Sequence, residues 1–334
     1  MVKISYHDDS APGITRKKMR HGWGYFDANG ARILDRETID RLNAVGLPPA
    51  YRDAWFCPKP NGHIQAVGWD EKGRKQYRYH PDFRETQEAA KYEGCAAFGQ
   101  SLPKVRARVA ADMALPGVSR EKAVAAVVRL LDLGHIRVGN EGYAKANNSF
   151  GATTLRNRHV KVAGSALKLK FRAKSGKERV MTITDRTLSR FVKKCQDLPG
   201  QHLFQWLDAE GEPHPVSSSD VNEYIRTASG GDFTAKHFRT WAASVLAFET
   251  LATARADIGL KALLLPVSEA LGNTPAIARK SYVHPALLAL VKSGQAEFRS
   301  QLRLPRRTHY LSRAERGLIA FLQPGAPAAV QHAA

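Results

Sequence analysis

The 334-residue sequence is poor in cysteine, in acidic relative to basic residues, and in long apolar runs. Its three cysteines, Cys57, Cys95 and Cys195, are widely spaced and odd in number, with no Cys-x-x-Cys pair. That excludes a disulfide framework and a thiolate zinc site. Apolar runs such as Ala262–Val267 are short, whereas a membrane-spanning helix needs about 20 apolar residues. The opening MVKISYHDDSAPG carries two aspartates and no apolar stretch, so no secretory signal is expected there. No Gly-rich phosphate loop ending in Gly-Lys-Ser/Thr occurs, and no Asp/Glu/His cluster has the spacing of metal ligands. These absences predict a soluble cytoplasmic protein that needs no cofactor and holds no metal, with no membrane partner.

What the sequence has in excess is positive charge: 51 Lys+Arg against 31 Asp+Glu, a formal charge of +20 and a pI near 10.0. The charge is uneven. Residues 1–95 hold 16 basic and 13 acidic side chains, whereas residues 96–334 hold 35 and 18. Between Arg137 and Arg179 there are 11 basic residues, opposed only by Glu141 and Glu178. A surface built for solubility alone intersperses both signs. A concentration of one sign predicts a polyanionic partner, and binding to nucleic acid draws its free energy from counterions released as phosphates are neutralised. Nucleic acid is the expected partner. A hydrophobic content of 43% is enough for a buried core, and the length suggests about two domains.

The first 80 residues read as short strands separated by turns, with Asn29-Gly30 and Asn61-Gly62 as hairpin signals. From Asp82 to about Met113 the composition is helical, and a domain boundary is expected on this helix between Glu88 and Ser101. Ser119 is placed to cap a helix through Leu133 that Gly134 ends. Leu167, Leu169 and Phe171 then alternate with Lys168, Lys170 and Arg172, the period of a strand with one apolar and one basic face. Ser175-Gly176-Lys177 reads as the following turn, with Lys174 at its tip. Helices resume after Asp185, and Pro275 suits a helix start. The expected fold class is α+β: a small β-rich N-terminal domain over 1–90, and a larger, mainly α-helical domain with a small β-sheet over 91–304. A basic, then Ala/Pro-rich, frayed tail is expected over 305–334.

Four segments stand out by their wording: Gly134-His135-Ile136-Arg137-Val138-Gly139-Asn140, Phe171-Arg172-Ala173-Lys174-Ser175-Gly176-Lys177, Lys236-His237-Phe238-Arg239-Thr240-Trp241, and Leu271-Gly272-Asn273 followed by Arg279-Lys280-Ser281-Tyr282-Val283-His284-Pro285. In this order and at these intervals they resemble the type IB DNA topoisomerases in their short bacterial and poxvirus-like form, over most of the chain from about Gly22 to Glu297. The resemblance implies a tyrosine recombinase/topoisomerase IB-like catalytic domain that relaxes supercoiled double-stranded DNA, in the nucleoid, through a 3′-phosphotyrosyl intermediate without ATP or an essential metal. The lack of a heptad pattern or large apolar stripe adds the expectation of a monomer.

The side-chain chemistry is consistent with that. Tyr282 is an oxygen nucleophile; Arg137 and Arg239 are planar, permanently charged forks that match phosphate oxygens. Lys174, on a flexible stem at a turn, can protonate the leaving 5′-oxygen. Asn273 offers a neutral amide donor. Members of the family carry His at this place, nine residues before the tyrosine, so Asn273 is a departure that removes a titrating group. Taken singly, each residue has an ordinary structural use: a packed tyrosine, a surface ion pair, a solvated lysine, a turn asparagine.

For DNA contact, the matching family segment makes Arg74, Gln76, Tyr77 and Tyr79 candidates for reading the major groove, where Gln pairs with adenine. Tyr143 and Lys236 are candidate phosphate contacts. His135, His237 and His284 are expected to be structural, and Phe238 and Trp241 to lie in the core. A tyrosine recombinase shares the Arg, Lys, Arg, Tyr order, but Lys236 where that family shows His, and a β-rich N-terminal part, argue against it. A non-catalytic DNA-binding protein would also account for the charge.

Overall fold

The computed structural model describes residues 3–71 and 73–323. The chain divides into two compact units, Met1–Tyr92 and Glu93–Ala334. The first contains β1 (Ile14–Met19), β2 (Gly22–Phe26), α1 (Arg36–Ala44), β3 (Arg52–Phe56), β4 (Ile64–Trp69) and β5 (Lys75–Tyr79). The strands form one antiparallel sheet in the order β2-β1-β3-β4-β5. Asp27-Ala28-Asn29-Gly30 makes the expected tight turn: the Asp27 N–H donates to the Ala31 carbonyl at 2.9 Å, and Gly30 has φ +82°. Asn61-Gly62 lies in the connection between the antiparallel pair β3 and β4. One helix, α1, which the sequence pattern does not predict, interrupts the β-rich segment. Asp35 caps it by accepting from the Thr38 N–H at 2.8 Å, and Leu42 is buried with Tyr25, Phe56 and Ala66. Nine residues are too few for a clear helical period, which hides it in the sequence.

The helix α2 (Pro81–Ala114) carries the unit boundary. After it come α3 (Arg120–Gly134), α4 (Glu141–Asn147), β6 (Val160–Ala163), β7 (Ala166–Arg172), β8 (Glu178–Thr184), α5 (Arg186–Gln196), β9 (Gln205–Leu207), β10 (Pro213–Pro215) and α6 (Ser218–Ser229). The C-terminal half continues as α7 (Ala235–Thr253), α8 (Leu260–Leu271), α9 (Pro275–Ser281), α10 (Pro285–Lys292), α11 (Gln295–Gln301) and α12 (Arg313–Leu322). This is the α+β class expected, strands first and then a mainly helical body. One continuous core holds it, with Phe98, Leu130, Leu131, Phe191, Phe204 and Phe248 fully enclosed. In the sheet β6-β7-β8, Leu167, Leu169 and Phe171 are buried while Lys168, Lys170 and Arg172 are exposed. All three cysteines are unpaired and buried, and burial pushes the Cys95 and Cys195 thiols up to about 12. Among the described residues no helix is long and apolar enough to cross a membrane.

Two expectations are corrected. Helix α3 runs one residue further than expected: Gly134 is its last helical residue, and His135, not Gly134, takes the left-handed capping conformation with φ 52°. Gly134 packs closely under β8: a Cβ there would lie 3.1 Å from Ile183 Cδ1 and 3.2 Å from Met181 Cε. The segment after 305 is not a frayed tail over its described part. Ser312 and Glu315 form a capping box for α12, Leu318 is fully buried, and Phe321 packs on Phe248 and Phe298. Glu315 also pairs with Arg106 at 2.8 Å and accepts from Trp241 Nε1 at 3.2 Å. The apolar stripe Leu311, Ala314, Leu318, Phe321 is obscured in the sequence by the basic residues around it. The Ala/Pro-rich stretch 324–334 lies outside the described residues.

Candidate active site

Arg137 follows α3 on a backbone held by its neighbours. The Ala152 N–H donates to the Arg137 carbonyl at 2.8 Å, and the Thr153 N–H to Val138 at 2.7 Å. Gly139 (φ +101°) and Gly151 make this approach possible, since a Cβ on Gly151 would lie 2.6 Å from the Arg137 carbonyl oxygen. Two segments thus meet backbone to backbone and hold Arg137 at the end of α3.

Arg239 projects from α7 and is only 3% exposed. Nη1 donates to the His135 carbonyl and Nη2 to the Leu271 carbonyl at 3.1 Å. The left-handed turn at His135 thus provides one carbonyl and the C-terminus of α8 the other. Burial pulls the Arg239 guanidinium down to about 10; Tyr282 opposes this and Arg137 adds to it. It remains charged at neutral pH.

Asn273 follows Gly272, the left-handed residue that closes α8. Its N–H donates to Ser268 O at 3.0 Å, and its Oδ1 accepts from Arg137 Nη2 at 3.1 Å. Its Nδ2 is buried with no hydrogen-bond partner among the described residues, and so is Arg239 Nε. Buried donors without acceptors are costly in a protein with no ligand. Lys174 is exposed on the turn between β7 and β8, closed by the Ala173 N–H to the Lys177 carbonyl at 2.7 Å. Arg137, Lys174, Arg179, Arg239 and Asn273 line one cavity of about 300 Å³.

Tyr282 sits at the C-terminus of α9, whose start is capped by Thr274 with Pro275 in the first turn. The Arg239 guanidinium carbon is 4.8 Å from the Tyr282 ring centroid. Burial pushes the phenol up, but Arg239 first and then Arg137, each by charge and hydrogen bond, outweigh it and hold Tyr282 below the ordinary tyrosine value. Ser244 of α7, fully buried, fixes the main chain here: Oγ donates to the Tyr282 carbonyl at 3.4 Å and accepts from the His284 N–H at 3.1 Å.

Two of these residues are not among the site candidates expected from the sequence. Arg179 donates from Nη1 to the Glu269 carbonyl at 2.7 Å and from Nη2 to the Ala270 carbonyl. Its signal is parity, because Arg179, Met181 and Ile183 share the inward face of β8. Ser244 is a lone hydroxyl in the apolar run Trp241–Phe248.

The remaining candidates lie elsewhere. Lys236 and Tyr143 are exposed, on α7 and α4, and neither lines the cavity. In the first unit Asp70 gathers two of the proposed DNA contacts, accepting from Arg74 Nε at 2.8 Å and from Gln76 Nε2 at 3.1 Å. Tyr77 and Tyr79 are exposed and stacked, with centroids 5.9 Å apart and planes at 11°. Strand alternation puts them on the face of β5 opposite Gln76. His237 and His284 have structural roles, each accepting a backbone N–H at the start of its helix. Phe238 and Trp241 are buried in the core.

Residues 80–280 match the family described as eukaryotic DNA topoisomerase I, catalytic core, and residues 22–70 match bacterial DNA topoisomerase IB, N-terminal domain. The chain is 30% identical over 300 residues to DNA topoisomerase 1B of Acanthamoeba polyphaga mimivirus, spanning 86% of this chain and 89% of that one. It is 22% identical over 229 residues to DNA topoisomerase 1B of vaccinia virus (strain Copenhagen), spanning 68% and 72%. Among solved structures, XerH site-specific recombinase bound to difH substrate aligns with a TM-score of 0.38 and 16% identity, over 55% of this chain and 49% of that one.

Proposed function

The chain belongs to the type IB DNA topoisomerase family, and on that premise we propose that it relaxes supercoiled duplex DNA through a transient tyrosine ester, using neither a nucleotide nor a metal ion. Tyr282 Oη attacks a backbone phosphorus and the bond to the 5′-oxygen breaks. The enzyme is left joined to the 3′-phosphate, and the strand with the free 5′-hydroxyl can rotate. Attack of that hydroxyl on the phosphotyrosine reverses the step and reseals the strand. One phosphodiester is exchanged for another, so no external energy source is called for.

The observation that carries this reading is the pairing of a phenol held below its ordinary pKa by Arg239 and Arg137 with two buried donors that lack acceptors, Asn273 Nδ2 and Arg239 Nε. Negative charge grows on the non-bridging oxygens during attack. Preorganised donors in a site screened from water stabilise it. The departing 5′-oxygen needs a proton, and the exposed Lys174 at the edge of the cavity is the group to deliver it. The basic excess beyond residue 95 supports a duplex lying on this unit, with Lys236 and Tyr143 on its phosphates. On β5, Tyr77 and Tyr79 offer an aromatic face, and Arg74 and Gln76 would exchange Asp70 for DNA.

The test is plasmid relaxation by the protein alone in EDTA and without ATP. We expect complete conversion of supercoiled to relaxed circles. A requirement for added Mg²⁺ or ATP, or for paired recognition sites, would contradict the proposal.

A further inference from the structure

Arg179 lines the cavity yet takes no part in the reaction as proposed. Its guanidinium donates to the carbonyls of Glu269, at 2.7 Å, and of Ala270. Arg239 donates to the next carbonyl, Leu271, at 3.1 Å. The last carbonyls of a helix have no partner within it, and that end carries partial negative charge. Two arginines from separate elements therefore hold the end of α8 directly before Gly272 and Asn273. The approach is close: a Cβ on Gly272, whose φ is +64°, would lie 3.2 Å from Arg179 Nη1.

At its other end, Arg179 is the second residue of β8, paired across the ladder with Phe171, immediately after the turn that carries Lys174. That turn is exposed and contains two left-handed residues, Ser175 (φ 64°) and Gly176 (φ 73°). We infer that Arg179 is a positioning residue that locks the Lys174 turn onto the Asn273 turn, so that the proton donor and the phosphate donor face one reacting group. The inference rests on Lys174 acting as the acid. Arg239 keeps a buried Nε with no hydrogen-bond partner among the described residues, whereas Arg179 has both terminal nitrogens on carbonyls and no such buried spare donor, which suits it to this task rather than to binding phosphate. Lysine cannot replace it fully, since one ammonium lacks the fixed fork that spans two acceptors.

The test uses a duplex containing a cleavage site mapped with the wild-type protein, prepared with either oxygen or sulfur at the 5′-bridging position. A thiolate leaves without a proton, so an acid that is missing or misplaced matters only for the oxygen duplex. Arg179→Ala should cleave the oxygen duplex about 100-fold more slowly in a single turnover, the scale of loss from small misplacement of a reacting group. It should bind DNA as the wild type does and cleave the sulfur duplex at the wild-type rate, because Arg239 on the Leu271 carbonyl and Arg137 on Asn273 still hold the Asn273 turn, and only the Lys174 turn is released. Arg179→Lys should fall between, and the same oxygen-to-sulfur comparison applies to it if the alanine variant does not fold. Equal slowing on both duplexes, or no slowing on the oxygen duplex, would overturn the inference. Lys174→Ala is measured alongside. If sulfur rescues Lys174→Ala but not Arg179→Ala, only the positioning role fails; if sulfur does not rescue Lys174→Ala, the acid role fails and the inference falls with it.

Discussion

Tyr282→Phe should abolish plasmid relaxation and covalent attachment to DNA, with a loss on the order of 10⁶-fold, as when a nucleophile is removed from other covalent enzymes. The substitution deletes one oxygen and keeps the ring. The Arg239 guanidinium, 4.8 Å from the ring centroid, retains its aromatic partner. The main-chain bonds from Ser244 to the Tyr282 carbonyl and from the His284 N–H to Ser244 are untouched. The fold and the DNA affinity should therefore survive. Relaxation followed over time, with filter binding on the same preparation, separates catalysis from binding. Wild-type relaxation by the variant would mean that another side chain attacks the phosphorus. Loss of binding together with activity would mean that the tyrosine is structural.

Arg239→Lys should lower cleavage by about 10²- to 10³-fold, the usual result of removing a preorganised donor from a charge-stabilising site. The charge is kept, but a lysine cannot reach both the His135 and Leu271 carbonyls and still present a planar donor to phosphate. One buried carbonyl is left without a partner, which costs about 1–3 kcal/mol of stability. The variant should therefore also melt at a lower temperature. A further consequence concerns pH. In the wild type Tyr282 is held below its ordinary pKa because Arg239 and Arg137 outweigh the effect of burial. With Arg239 displaced, burial acts against less opposition and the phenol pKa rises. A phenol that loses its proton less readily needs a higher pH to react, so the rising limb of the cleavage-rate profile should move to higher pH. Single-turnover rates across pH test this. A limb that stays in place would show that Arg239 does not act on the phenol.

The parts of the molecule that were legible in the sequence are those in which neighbouring residues carry the signal. The two-residue period of Leu167–Arg172 identified β7 and its basic face, and Ser175-Gly176 placed Lys174 on a turn. Pro275 after Thr274 marked the start of the helix that presents Tyr282. The order of Arg137, Lys174, Arg239, Asn273 and Tyr282 identified candidates, and folding brings the first, third and fourth of them into direct or near-direct linkage through Arg137–Asn273 and Arg239–Leu271 bonds. What was not legible depends on partners far along the chain or on backbone atoms. Arg239 donates to the carbonyls of His135 and Leu271, 104 and 32 positions away, and a carbonyl has no residue-specific signature. Arg179 is of the same kind, one basic residue among many until its inward parity on β8 is noticed. The docking of α12 depends on Arg106, more than 200 residues earlier, meeting Glu315. Asp70 is a further case: it holds Arg74 and Gln76, so the apparent run of free contacts along β5 is internally bonded on one face.

Trapping the covalent bond between Tyr282 and DNA tests the proposed mechanism most directly. Protein and labelled duplex DNA are mixed, denatured without prior warning to the equilibrium by rapid addition of detergent, and digested with protease. The residue carrying DNA and the chemistry of both broken ends are then determined. A phosphodiester from Tyr282 to the 3′ end of one strand is expected, with a free 5′-hydroxyl on the other side of the break. Attachment through another residue, attachment to a 5′ end, or no covalent product in a preparation that relaxes plasmid would contradict it.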